Sequence, residues 1–246
     1  MICDSHCHLK HGDAERTEYS PEAILEMMDA AGIGRAVVFA MSTTTKRSIE
    51  MAEDAVRRFP DRLIPYVYAL PSYQRPVCDE LEEAIGQRRF RGIKIHLGEC
   101  TVADYVIDPV MELAGRHGVP CLVDFVGRYG AAESLATRFP QTNLIVCHLG
   151  QYLCTNAQVM DRFIGLAERC PNVYLDISGV VMLHKVQDAV QRVGSERVIW
   201  GTDGPHKTPD TTNFARLSLD SVRVLNLGKK AEADVLGGSI MKLIGS

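Results

Sequence analysis

Apolar residues fall in short runs separated by longer amphipathic stretches, and the two alternate along the whole chain. Runs at residues 1–8, 35–40, 63–69, 91–97, 119–125, 143–149, 172–178 and 197–203 read as buried parallel strands. The stretch after the first run opens with Ser20-Pro21-Glu22, a cap followed by proline at the first helical position, and puts Ile24, Met28 and Ala31 on one face. Helical spacing continues through about 46–59, 76–89, 107–117, 130–139, 155–170, 183–194 and 212–226, and a last amphipathic stretch covers about 230–244.

The joints after the helices are short and share a chemistry. Arg58-Phe59-Pro60-Asp61, Arg138-Phe139-Pro140-Gln141 and Arg169-Cys170-Pro171-Asn172 each place a base in the last turn and proline just beyond it. His117-Gly118-Val119-Pro120 and Gly32-Ile33-Gly34 do the same with glycine. The connections from strand to helix are longer, at 9–19, 41–45, 70–75, 98–106, 126–129 and 203–211. Strand and helix in strict alternation predict an α/β fold, a parallel (β/α)8 TIM barrel, as one domain over residues 1–246. A doubly wound sheet is the competing architecture, but no Gly-x-Gly-x-x-Gly follows the first strand.

Composition narrows the function. The 246 residues are 46% hydrophobic and 24% charged with net charge −4, which fits a globular protein with a sizeable core and gives no basic footprint for nucleic acid. No apolar run approaches the roughly 18 residues that span a membrane. Met1-Ile2-Cys3-Asp4 lacks a basic segment followed by an apolar one, so no secretory signal is expected. The eight cysteines include no Cys-x-x-Cys pair and read as reduced thiols of a cytoplasmic protein. Strand alternation turns Cys7 and Cys147 away from the histidines beside them, and both read as packing.

Polar residues gather at the predicted strand ends. His6 and His8 share a face of strand 1, and Lys94 and His96 share a face of strand 4. Asp124 ends strand 5, His148 ends strand 6, Asp176 lies near the end of strand 7, and Asp203 ends strand 8. A lone histidine there is usually a satisfied core group, and a lone aspartate a helix cap. Several at the same end of successive strands point to a barrel-mouth active site. Buried carboxylates and imidazoles are costly alone, so a shared cation explains them.

These residues resemble the amidohydrolase superfamily, most closely its amidohydrolase-2 branch of metal-dependent hydrolases and decarboxylases. The similarity runs through Asp4-Ser5-His6-Cys7-His8, Arg91-Gly92-Ile93-Lys94-Ile95-His96, Asn143-Leu144-Ile145-Val146-Cys147-His148-Leu149-Gly150 and Val198-Ile199-Trp200-Gly201-Thr202-Asp203. It implies a divalent metal, Zn²⁺ in the usual case, held by His6, His8 and Asp203. Asp203 would serve as acid and base, and His148 would polarise the water or substrate. Asp124 stands where the branch usually has histidine; as a further ligand it would shift the site toward Mn²⁺. Lys94 carries a second implication, the carboxylated lysine that bridges two metals in some superfamily members.

The implied reaction is hydrolysis of a C–N or C–O bond in an amide, lactone or ester. Decarboxylation is the alternative with the same ligands. A TatD-type deoxyribonuclease shares the opening motif, but Leu70-Pro71-Ser72-Tyr73 replaces its Gly-Glu-x-Gly-Leu-Asp stretch. A barrel that binds metal without turnover is the non-enzymatic reading. The expected partner is a small molecule met by Lys94, His96, Arg128 and His206, with no nucleic acid or membrane; a homo-oligomer is compatible. Lys46, Arg47, Arg75, Arg128 and Lys207 on the loops suggest a cationic rim suited to a carboxylate-bearing substrate, and residues 9–19 suggest a lid.

Overall fold

A computed structural model describes residues 1–207 and 210–245 of the chain. Its strands are β1 (Cys3–Lys10), β2 (Arg35–Ala40), β3 (Leu63–Pro65), β4 (Val67–Tyr68), β5 (Ile93–His96), β6 (Cys121–Asp124), β7 (Leu144–Val146), β8 (Val173–Asp176) and β9 (Val198–Ile199). Between them run α1 (Pro21–Ala31), α2 (Thr45–Arg58), α3 (Cys78–Gly86), α4 (Asp104–His117), α5 (Tyr129–Arg138), α6 (Ala157–Arg169) and α7 (Leu183–Val193). After β9 come α8 (Thr211–Arg223) and a helical tail with α9 (Lys229–Ala233) and α10 (Ser239–Leu243).

All strand pairs are parallel, in the orders β1-β2-β3 and β4-β5-β6-β7-β8-β9. β3 and β4 are one stave interrupted at Tyr66. The Tyr66 amide donates to Val38 O at 3.0 Å on one side, and the Arg91 amide donates to Pro65 O at 2.9 Å on the other. The last gap closes where the Ser5 amide donates to Trp200 O at 3.3 Å and the His8 amide to Gly204 O at 2.6 Å. The result is the eight-staved (β/α)8 TIM barrel.

Local chemistry sets the element ends. Ser20 Oγ accepts from the Ala23 amide at 3.2 Å to start α1, and Gly32 stops it in the left-handed region at φ 74°. Thr44 starts α2 in the same way. One apolar layer lies between strands and helices, and a second fills the barrel with Phe39, Tyr66, Leu122, Ile145 and Ile199. Gly92 admits the phenol of Tyr66, whose ring atoms would lie 2.3 Å from a Cβ at that position.

Two boundaries depart from the sequence expectation. α4 begins at Asp104 rather than near 107 and runs through Pro109. Burial of Val106, Ile107, Val110 and Met111 outweighs the backbone bond that proline removes. β7 ends at Val146, because the chain turns through Cys147–Gly150 with His148 at φ 60° and Leu149 at φ 48°. Strand alternation therefore does not apply at Cys147. Its thiol faces the barrel interior, 3.3 Å from Lys94 Nζ, which corrects the expectation that it only packs.

Candidate metal-binding active site

The C-terminal strand ends surround a cavity of about 390 Å³ lined by residues that include His6, His8, His11, Asp13, Lys94, His96, Asp124, His148, Asp203 and His206. β1 supplies His6 and His8 on one face, both almost wholly buried. Asp203 follows β9 with φ 57°, and its carboxylate meets the histidines of β1. Its Oδ1 lies 3.0 Å from His6 Nε2 and 3.0 Å from His8 Nε2.

Neighbouring groups fix the orientation of these rings. His6 Nδ1 faces Asp176 Oδ2 at 3.3 Å and Ser178 Oγ at 3.1 Å, leaving Nε2 for the cavity. Ser178 Oγ donates to the same Asp176 oxygen at 2.5 Å, and the His148 amide donates to it at 3.1 Å. His148 Nδ1 donates to Ser178 O at 2.8 Å, so its Nε2 also faces the cavity, 3.6 Å from Asp124 Oδ2. Below this layer Asp4 accepts from the Thr202 amide at 2.9 Å, Thr202 Oγ1 at 2.6 Å and the His6 amide at 3.0 Å, tying β1 to the end of β9.

Charge is concentrated here. Burial and the Lys94 ammonium oppose protonation of His6, but Asp203, Cys147 and Asp176 outweigh them and hold its pKa well above the usual value. Burial, aided by His11, keeps His8 well below it. Burial also disfavours ionised Asp203, yet His6, His206 and His8 hold its carboxyl far below the ordinary range. Asp124 is lowered too, where His96, His148 and Lys94 overcome burial.

The donor set suits a divalent ion. His6 Nε2, His8 Nε2 and an Asp203 oxygen lie within 4.8 Å of one another. Two imidazoles and a permanently ionised carboxylate are ordinary ligands for zinc. With Nδ1 of His6 turned to Asp176 and Ser178, its Nε2 lone pair meets the Asp203 oxygen directly, a contact that only a proton or a cation makes favourable. Lys94 Nζ lies 3.1 Å from the same nitrogen, so the ammonium must give way when an ion is held there. His6, Cys147 and His148 form a second geometric group. Burial pushes the Cys147 thiol up, which favours the protonated, poorly ligating form.

The other expected site residues divide. Asp124 lies outside both groups, where its Oδ2 faces His96 Nε2 at 3.3 Å and His148. Lys94 and His96 line the cavity as expected, and His206 Nε2 stands 3.8 Å from Asp203 Oδ2 without a hydrogen-bond partner. Arg128 does not line the cavity; its guanidinium donates to Leu97 O at 3.3 Å. His11, expected only as part of a lid over residues 9–19, stacks its ring on His8 with centroids 4.3 Å apart. Sequence reasoning passed over Ser178, Gln151 and Tyr152; only a Ser two residues beyond Asp176 gave any signal.

Comparison with known proteins gives the family and the fold. The family model described as amidohydrolase matches residues 3–245. The chain is 26% identical over 251 residues to a 4-sulfomuconolactone hydrolase of Hydrogenophaga intermedia, covering 88% of this chain and 81% of that protein. It is 24% identical over 213 residues to an L-fucono-1,5-lactonase of Burkholderia ambifaria, covering 78% and 72%. A Burkholderia multivorans amidohydrolase with bound zinc shares the fold at a TM-score of 0.78 and 14% identity, over 100% of this chain and 99% of that one. The chain belongs to the amidohydrolase family of metal-dependent hydrolases.

Proposed function

We propose that this hydrolase opens small lactones, using one Zn²⁺ held by His6, His8 and Asp203. The observation that carries the reading is the meeting of both imidazole Nε2 atoms on Asp203 Oδ1, at 3.0 Å each, in the floor of the cavity. Asp124 Oδ2 faces His96 and His148 and stands outside the group of His6, His8 and Asp203, which supports Zn²⁺ over the Mn²⁺ that a second carboxylate ligand would favour.

A divalent ion in this position supplies Lewis acidity and lowers the pKa of water from 15.7 toward about 7. The chain's residues do the rest. Asp203, held anionic, accepts the proton of the attacking water and returns it to the departing alkoxide as the ring opens. His148 Nε2, aimed into the cavity by the bond from Nδ1 to Ser178 O, presents its lone pair there and orients the attacking water by accepting one of its hydrogens. Lys94 places a buried ammonium beside the same centre. The unpaired cysteines support a cytoplasmic setting, and the bounds of the family match support one domain.

The test is ring opening of a lactone panel followed by pH-stat, with excess Zn²⁺. Asp203→Asn should lower kcat by at least about 10²-fold, in line with loss of general acid–base catalysis. Unchanged kcat would end the assignment of Asp203. Release of CO2 from an aromatic acid without any ring opening would replace the hydrolase by a decarboxylase.

A further inference from the structure

We propose that the cavity takes an uncharged, hydroxyl-bearing lactone and discriminates against lactones with an anionic group beside the ring. This deepens the hydrolase reading above and rests on it for the nature of the ring.

The cationic rim expected from the sequence is directed elsewhere. Arg47 pairs with Glu50 at 3.6 Å, Lys207 with Glu15 at 2.6 Å, and Arg75 with Glu80. Lys46 lies in a separate depression with Glu50, Glu80 and Glu83. Arg128 is spent on Leu97 O. Among the described residues, no arginine lines the active-site cavity, and Lys94 is its one ammonium.

That ammonium is committed at the floor. It lies 3.1 Å from His6 Nε2 and 3.3 Å from Cys147 Sγ, and is 1% exposed. The cavity is lined by three carboxylates, those of Asp124 and Asp203 near the ammonium and that of Asp13 exposed at the mouth. A divalent ion held by His6, His8 and Asp203 offsets that excess and leaves no surplus positive charge for a substrate carboxylate. An anion near Asp124, which is buried, would meet like charge where water screens little, and one entering past Asp13 would meet a further like charge at the mouth.

The same groups suit hydroxyls. Asp13 Oδ1 accepts from the Thr17 amide at 2.9 Å, which leaves Oδ2 as an acceptor. Asp124 Oδ1 accepts from the Val126 amide at 2.8 Å, and Oδ2 faces the cavity between His96 and His148. Tyr152 adds an aromatic wall. Its ring meets His148 edge-on at 5.1 Å and lies over Gly179, where a Cβ would stand 2.4 Å from it. An acceptor-rich recess with one aromatic side fits a polyol ring with an apolar face.

The experiment uses the zinc-loaded protein and two non-hydrolysable lactams of the same ring, a neutral aldono-1,5-lactam and its counterpart oxidised to a carboxylate at C6, titrated by calorimetry. The neutral lactam should bind at least about tenfold more tightly at low ionic strength. Asp13→Asn should narrow that ratio by about threefold or more, because it removes one repelling charge. Equal or tighter binding of the carboxylate, failure of both lactams to bind, or a ratio untouched by Asp13→Asn would overturn the proposal. Ring opening of the matching neutral lactone is read separately. No turnover with the ratio intact removes the hydrolase reading and leaves the selectivity, whereas turnover with the ratio inverted does the reverse.

Discussion

Asp176 controls the centre without facing the cavity. One of its oxygens meets His6 Nδ1, the Ser178 hydroxyl and the His148 amide, so a single carboxylate sets two imidazoles. Its pKa is held down, since the favourable charges of His6 and His148 overcome burial. Asp176→Asn should therefore weaken zinc binding by about 10- to 100-fold, as loss of an outer partner of a ligand does; dialysis against a competing chelator measures it. Asp4 behaves oppositely. Burial pushes its carboxyl up to about 6, against the bonds from Thr202 and His6 that favour the ion. The folded chain thus binds a proton between the ordinary carboxylate pKa and about 6 that the unfolded chain releases. The stability contributed by that proton is complete below about pH 4 and is lost as pH rises through about 6. Urea unfolding at pH 4 to 7 should show a flatter pH dependence for Asp4→Asn than for the parent.

At the scale of elements, the strand ends depend on glycines that make room. Gly150 has φ 106° and a Cβ there would lie 2.1 Å from the Phe163 ring of α6. Gly150→Ala should combine backbone strain with overpacking and cost about 3 kcal/mol or more, and because this turn aims His148, kcat should fall with stability. Gly92→Ala meets the Tyr66 ring inside the barrel, away from the ligands. It should lower the unfolding free energy by about 1–3 kcal/mol while the surviving folded fraction keeps its KM. Thermal melts beside kinetics separate the two. The alternation of elements was legible because each strand is a short buried run and most of the helices between them carry a cap or stop signal. The turn at Cys147–Gly150 was not, since three successive positive φ values follow no residue pattern in that stretch.

For the whole molecule, closing the barrel joins residues 195 positions apart in the chain, as between His8 and Asp203. An ion held there binds only the folded state, so it stabilises the fold by mass action. Zinc at one hundred times its Kd should add about 2.7 kcal/mol to unfolding, and chelation should reverse it; a melting temperature blind to both would argue against metal at this site. The described residues include no helix long and apolar enough to cross a membrane. His6, His8 and Asp203 could be picked out beforehand because barrel strands end at one face. The rim cations could not, because a loop charge has no fixed direction until its neighbours are placed.

By itself the sequence determined the order of strands and helices, the start of α1 and several helix stops, and that the polar side chains ending the strands share the barrel mouth, because these follow from local periodicity and parallel-strand geometry. Only the tertiary structure decided that His6 and His8 converge on Asp203, that Asp124 turns to His96 and His148, and that the loop cations pair away from the cavity. Those outcomes depend on distances between side chains remote in sequence, and electrostatic energies change over a few ångströms.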